Sequence, residues 1–213
     1  MFASRTIQAD NFRSPEIYAE APLKRIASTY RDVEQLAGST DGWLIRAQQI
    51  GAGRFEASSK TLVIGQLHIT EEYVNLAVSQ DTVSPQNRTS LIFPLESECG
   101  WRVNGQQHQG QVVALRQGET ELFVTPGNRS RLLHVEMPFD RFSPSDDDIA
   151  IAPASTADEA LRDWLLSLLH NPSDGLDIAT EDVAMLEFLL TMKLEECSSR
   201  VRQQRRGLLS HGE

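Results

Sequence analysis

Between Thr61 and Met137 apolar and polar residues alternate at a period of two, in short runs broken by turn residues. Over 61–70, Leu62, Ile64 and Gln66 share one face and Val63, Gly65, Leu67 and Ile69 the other, which predicts one strand. Weaker alternation predicts strands over 43–50, with Trp43, Ile45 and Ala47 opposite Arg46 and Gln48, and over 54–59. Further runs lie at 73–78, 89–95, 101–103, 106–109, 111–115, 121–125 and 131–137, with Pro94 marking an edge or a bulge. Asn104-Gly105 is the strongest hairpin signal, and Gly51-Ala52-Gly53, Gln117-Gly118 and Pro126-Gly127 separate other runs. Strands this short and evenly spaced predict an antiparallel barrel or sandwich. No helix-length pattern interrupts them, which argues against a parallel α/β sheet.

The period changes to 3.6 after residue 155. Thr156 with Glu159 reads as a capping box, followed by the stripe Leu161, Trp164, Leu165, Leu168 and Leu169. Asn171 to Gly175 ends that helix, and Thr180 can cap the next. The second helix carries Val183, Leu186, Leu189 and Leu190, and also Met185, Phe188, Met192 and Leu194. A helix apolar on more than one face needs two partners. One is the barrel or the first helix; the other is the same helix of a second chain, giving a homodimer. The plainer alternative is packing within one chain. Dimer-forming candidates are Trp164, Leu168, Val183, Leu186, Leu189 and Leu190. Near the start, Tyr30, Val33 and Leu36 stand at helical spacing and place a helix within 21–36. The expected organisation is an N-terminal arm and helix (1–42), a β-barrel effector domain (43–140), a linker (141–155), a helical dimerisation hairpin (156–200) and the start of a further linker (201–213).

The 213 residues carry a net charge of −10, so the bulk of the chain repels phosphate backbones. The run Arg200-Val201-Arg202-Gln203-Gln204-Arg205-Arg206 is a local exception. It reads either as a solvated helix end or as a linker approaching DNA. No apolar run approaches the ~20 residues of a membrane span, and the first ten residues lack the apolar stretch of a signal peptide. A cytoplasmic protein is the simplest expectation. Cys99 and Cys197 are too few for a disulfide scaffold.

Catalytic signatures are sparse. The nucleophile elbow, the Walker loop and the dinucleotide fingerprint are all missing. Glu96 and Glu98 beside Cys99 make that thiol a poor nucleophile. His68 and His134 could converge on strands, but the paired histidines and carboxylate of a barrel metal site are lacking, so no metal or other cofactor is expected. Asp146-Asp147-Asp148 lacks the glycine turn and spaced ligands of a calcium loop. What remains is a barrel able to hold one small molecule. Trp43, Phe93 and Trp101 are candidate walls; Arg46, Gln66 and His68 are candidate polar contacts. Taken singly, each fits better as an ordinary core aromatic or surface polar residue.

Several segments together resemble the N-terminal regulatory domain of the AraC/XylS family of bacterial transcription regulators, in the branch of the ethanolamine-utilisation regulator. They are Gly42-Trp43-Leu44-Ile45-Arg46, Gln49-Ile50-Gly51-Ala52-Gly53-Arg54-Phe55, Ile64-Gly65-Gln66-Leu67-His68-Ile69, Phe93-Pro94-Leu95 and Leu122-Phe123-Val124-Thr125-Pro126-Gly127. The helical pair and basic stretch follow in the same order, so the likeness covers residues 30–206. It implies a cupin-like barrel that binds an effector, helices that dimerise, and DNA reading by a separate C-terminal helix-turn-helix domain, which the residues after Arg206 are too few to form. The rival expectation is a stand-alone cupin-type metal-dependent enzyme.

Overall fold

A computed structural model describes residues 23–39, 43–83, 85, 87–98, 100–108, 112–117, 121–138, 149–171 and 180–210. The arm before Leu23, Cys99, the three aspartates at 146–148 and the interhelical break at 172–179 lie outside these residues. The described chain is mainly antiparallel β-sheet followed by helices. The strands are β1 (Leu23–Tyr30), β2 (Leu44–Gln49), β3 (Ala57–Ile64), β4 (Leu67–Val74), β5 (Val78–Val83), β6 (Arg88–Glu96), β7 (Trp101–Val103), β8 (Gln106–His108), β9 (Val112–Gln117), β10 (Glu121–Pro126), β11 (Ser130–Pro138) and β12 (Ile149–Pro153). Three helices join them: α1 (Val33–Ala37), α2 (Thr156–His170) and α3 (Thr180–Ser210). One sheet has seven strands in the order β1-β3-β4-β11-β6-β9-β12, and the other has five in the order β2-β5-β10-β7-β8.

Several local expectations change. The helix placed within 21–36 shrinks to α1, because Leu23–Tyr30 instead pairs along the whole of β3. The single strand expected over 61–70 is two strands joined at Gly65-Gln66, with Gly65 at φ +55°. The two-residue turn resets the alternation, so Ile64 pairs with Leu67 and Leu62 with Ile69, and all four share one face. The segment expected as a strand over 73–78 is the end of β4 and a turn into β5. Residues 149–153, inside the expected linker, add β12 to the edge of the larger sheet through β9. Asn104-Gly105 turns β7 into β8 with positive φ at both residues, as the hairpin signal required.

The main core lies on the outer face of the seven-stranded sheet. Leu62, Ile64, Leu67, Ile69, Leu91, Phe93, Leu133, Val135 and Met137 are buried there. Both helices cover them, α2 through Leu161, Leu165 and Leu169, and α3 through Val183, Leu190, Leu194, Cys197 and Val201. The α2 set repeats every four residues and the α3 set at steps of seven, four, three and four, so one stripe per helix is spent on the sheet. Polar clamps fix the helices. Arg25 donates to the Leu168 and Leu169 carbonyls at the end of α2, at 3.2 and 2.9 Å. The capping box is one residue earlier than expected: Ser155 caps α2 and Asp158 reaches back to it. Asp158 also pairs with Arg200 of α3. The basic stretch is therefore helical, and its first arginine turns inward. Glu187 of α3 accepts from the Gln66 backbone N–H at 3.0 Å, and a Cβ on Gly65 would overlap its carboxylate.

Candidate functional site

The inner face of the seven-stranded sheet is chemically unlike the outer one. Alternation along β4 and β11 sends His68, Thr70 and Glu72, and His134 and Glu136, away from the helices. Two hydrogen bonds show where they point. Trp43, leading into β2, donates its indole N–H to Glu136 Oε1 at 2.8 Å. Glu72 bonds the Gln80 side chain on β5. Both contacts cross to the five-stranded sheet, so these carboxylates lie between the sheets. Desolvation there raises the Glu72 carboxyl from its ordinary 4.5 to about 7, partly opposed by the Gln80 bond. The Trp43 ring meets the His134 ring edge to face, with centroids 5.1 Å apart, and His134 Nδ1 lies 3.7 Å from Glu136 Oε1.

Register extends the set. Glu136 stands opposite His68 on one side and Ser90 on the other, and directly opposed residues share a face. Ser90 is fully buried, and its hydroxyl bonds no described residue. A second, smaller core gathers Leu36, Phe55, Ala57, Val74 and Val78. On the inner face His68, Thr70, Glu72, Ile92 and His134 keep partial exposure, whereas the outer face beneath the helices is almost water-free.

The structure places the six anticipated contacts unequally. Trp43 and His68 belong to this polar set. Trp101 is buried on β7, and its indole N–H bonds no described residue. Arg46 projects from the exposed face of β2, opposite the inward Ile45 and Ala47. Gln66 sits exposed in the β3–β4 turn, where its carbonyl accepts from Arg88 at 2.7 Å. Phe93 faces the helices in the main core. Sequence reasoning missed Glu136, Ser90 and Glu72. The signal was their alternation with Leu133, Val135 and Met137, with Leu91 and Phe93, and with Ile69: polar residues at every second position of strands whose other face is wholly apolar.

The expected dimer-forming residues divide in the same way. Val183 and Leu190 are buried against the chain's own sheet, and Leu168 and Leu186 pack partly against that core. Trp164 and Leu189 are exposed, at 36% and 46%. With Leu189 stand Met185, Phe188 and Met192, exposed by 43–59% and spaced as one helical stripe. Among the described residues no group of three or more His, Cys, Asp or Glu is placed to hold a metal ion. No described helix is long and apolar enough to cross a membrane.

No protein-family profile matches the chain, and no curated protein matches its sequence. Among solved structures the chain is similar to that of the AraC-like transcriptional activator CuxR. The TM-score is 0.60 with 11% sequence identity, over 83% of this chain and 70% of that one. At that identity the likeness is one of fold.

Proposed function

We propose that this chain is the effector-sensing and dimerising unit of an AraC-like transcription regulator, with a cupin-like sandwich as sensor. The observation that carries this reading is the division of the seven-stranded sheet into two chemistries. Its outer face is sealed by α2 and α3. Its inner face presents Glu136 and His134 against Trp43, with His68 and Ser90 opposite Glu136 in register, the few oriented polar groups and aromatic surface that suit a small molecule. The fold shared with an AraC-like activator supports the same assignment. An effector that prefers one arrangement of sheet and helices shifts the population toward it, and two chains joined through α3 transmit that to attached DNA-reading domains.

The joining surface is the stripe Met185, Phe188, Leu189 and Met192, which the chain's own sheet leaves exposed. Size-exclusion chromatography with light scattering at about 50 µM, a concentration permissive even for micromolar association, should give the mass of a dimer. Phe188→Glu with Leu189→Glu should give monomers with an unchanged circular dichroism spectrum. Leu186 is unsuited to this test because it packs partly on the core. A wild-type monomer at that concentration refutes the dimer.

A further inference from the structure

We infer that Glu187 is the positioning residue of the dimer surface: its seat on the Gly65-Gln66 turn fixes which side of α3 a second chain meets. This rests on the reading of Met185, Phe188, Leu189 and Met192 as the joining stripe and adds the contact that holds the stripe in place. Glu187 Oε1 accepts from the Gln66 backbone N–H at 3.0 Å, an anion on a main-chain donor. Both carboxylate oxygens lie over Gly65, where a Cβ would overlap them, so the missing side chain makes room for the seat. Arg88, at the start of β6, donates to the carbonyl of the same Gln66 at 2.7 Å. One residue of the β3–β4 turn is thus tied to α3 by its N–H and to β6 by its carbonyl.

The seat matters because the remaining grip on this part of the helix lacks direction. Between Asp182 and Met192 only Val183, Leu190 and Thr191 are buried. The Thr191 hydroxyl donates back to the Glu187 carbonyl at 2.8 Å and so bonds within the helix. Apolar burial is non-directional and lets a helix roll on its sheet, whereas a hydrogen bond fixes an angle. Among the described residues the Glu187 bond is the one hydrogen bond from this stretch to the sheet. At about 3.6 residues per turn, Glu187 points about 160° away from Met185 and from Leu189. Holding it on the turn therefore holds the stripe outward. The Arg200–Asp158 clamp lies beyond the stripe, toward the end of α3. His68 is the second residue of β4, directly after the turn, so the strand with the polar inner face also carries the anchor of the dimer helix.

Sedimentation equilibrium of the full chain tests this through the dimer dissociation constant. Glu187→Ala frees the helix to roll, and the apparent constant rises as the fraction of chains presenting the stripe falls, by about tenfold if roughly one chain in ten presents it. Glu187→Gln keeps an acceptor for the Gln66 N–H and should stay within about threefold of wild type. Val135→Ala loosens the buried sheet without touching the turn, and should leave the constant unchanged while lowering the melting temperature. Glu187→Ala that dimerises like wild type, or Val135→Ala that weakens the dimer as much, overturns the positioning role. If Glu187→Ala fails to fold, Gly65→Ala pushes the carboxylate away from the other side and should weaken the dimer too; unchanged association then overturns the role. A wild-type monomer overturns the joining surface, and with it any role in the dimer. Amide exchange over residues 183–192 tells that failure from failure of the seat: exchange faster in Glu187→Ala than in Glu187→Gln keeps the anchor, and equal exchange overturns it.

Discussion

Glu72→Gln should change how stability depends on pH. Burial between the sheets raises the Glu72 carboxyl to about 7 in the folded protein, against 4.5 for an ordinary side chain, by limiting the water that solvates the carboxylate. Below 4.5 both folded and unfolded chains hold the proton. Between 4.5 and about 7 the unfolded chain has released it while the folded chain retains it, so the unfolded state binds fewer protons and stability falls as pH rises. Above about 7 both forms are ionised and the deficit is constant. At about 1.4 kcal/mol per tenfold change, the full displacement corresponds to ~3 kcal/mol. Glutamine cannot ionise and can still bond Gln80. The variant should therefore gain on the wild type by ~3 kcal/mol between pH 4.5 and pH 8, nearly all of it before pH 7.5. Urea unfolding of both proteins at half-unit steps measures this, since the other titrating groups cancel in the difference. A wild-type-to-variant difference constant within ~0.5 kcal/mol across that range would refute the desolvated carboxylate.

Two further outcomes concern the helix clamps. Burial pushes the Asp158 pKa up, but the bonds from Ser155, Cys197 and Arg200 outweigh it and hold the carboxyl below its ordinary range. Asp158→Ala should cost about 2–4 kcal/mol in urea unfolding, through the lost return bond of the capping box and an orphaned Arg200, with part recovered by adding Arg200→Met; a loss under 0.5 kcal/mol would contradict the clamp. Gly65→Ala forces a left-handed turn on a residue with a Cβ and drives that carbon into Glu187, for a loss of about 2 kcal/mol. In a Glu187→Ala background the loss should fall to about 1 kcal/mol, and an unchanged penalty there would show that Glu187 does not press on the turn.

The alternation of residues 89–137 fixed the number and antiparallel character of most strands, because a strand with one buried face cannot slip by one residue without exposing its core. The 3.6 period after residue 155 likewise fixed two C-terminal helices, and Asn104-Gly105 fixed a hairpin. What alternation cannot say is which of two faces meets which neighbour. Phe93 and Glu136 both lie on strands of one sheet, yet one is sealed beneath α3 and α2 and the other faces the second sheet. Two events of tertiary structure decided this. The turn at Gly65 reset the phase of β4, and the helices settled on the outer face. The same docking took Val183 and Leu190 for the core and left Met185, Phe188, Leu189 and Met192 exposed. Residue spacing put two apolar stripes on α3; only the sheet, wide enough to bury one of them, decided which stripe stays exposed.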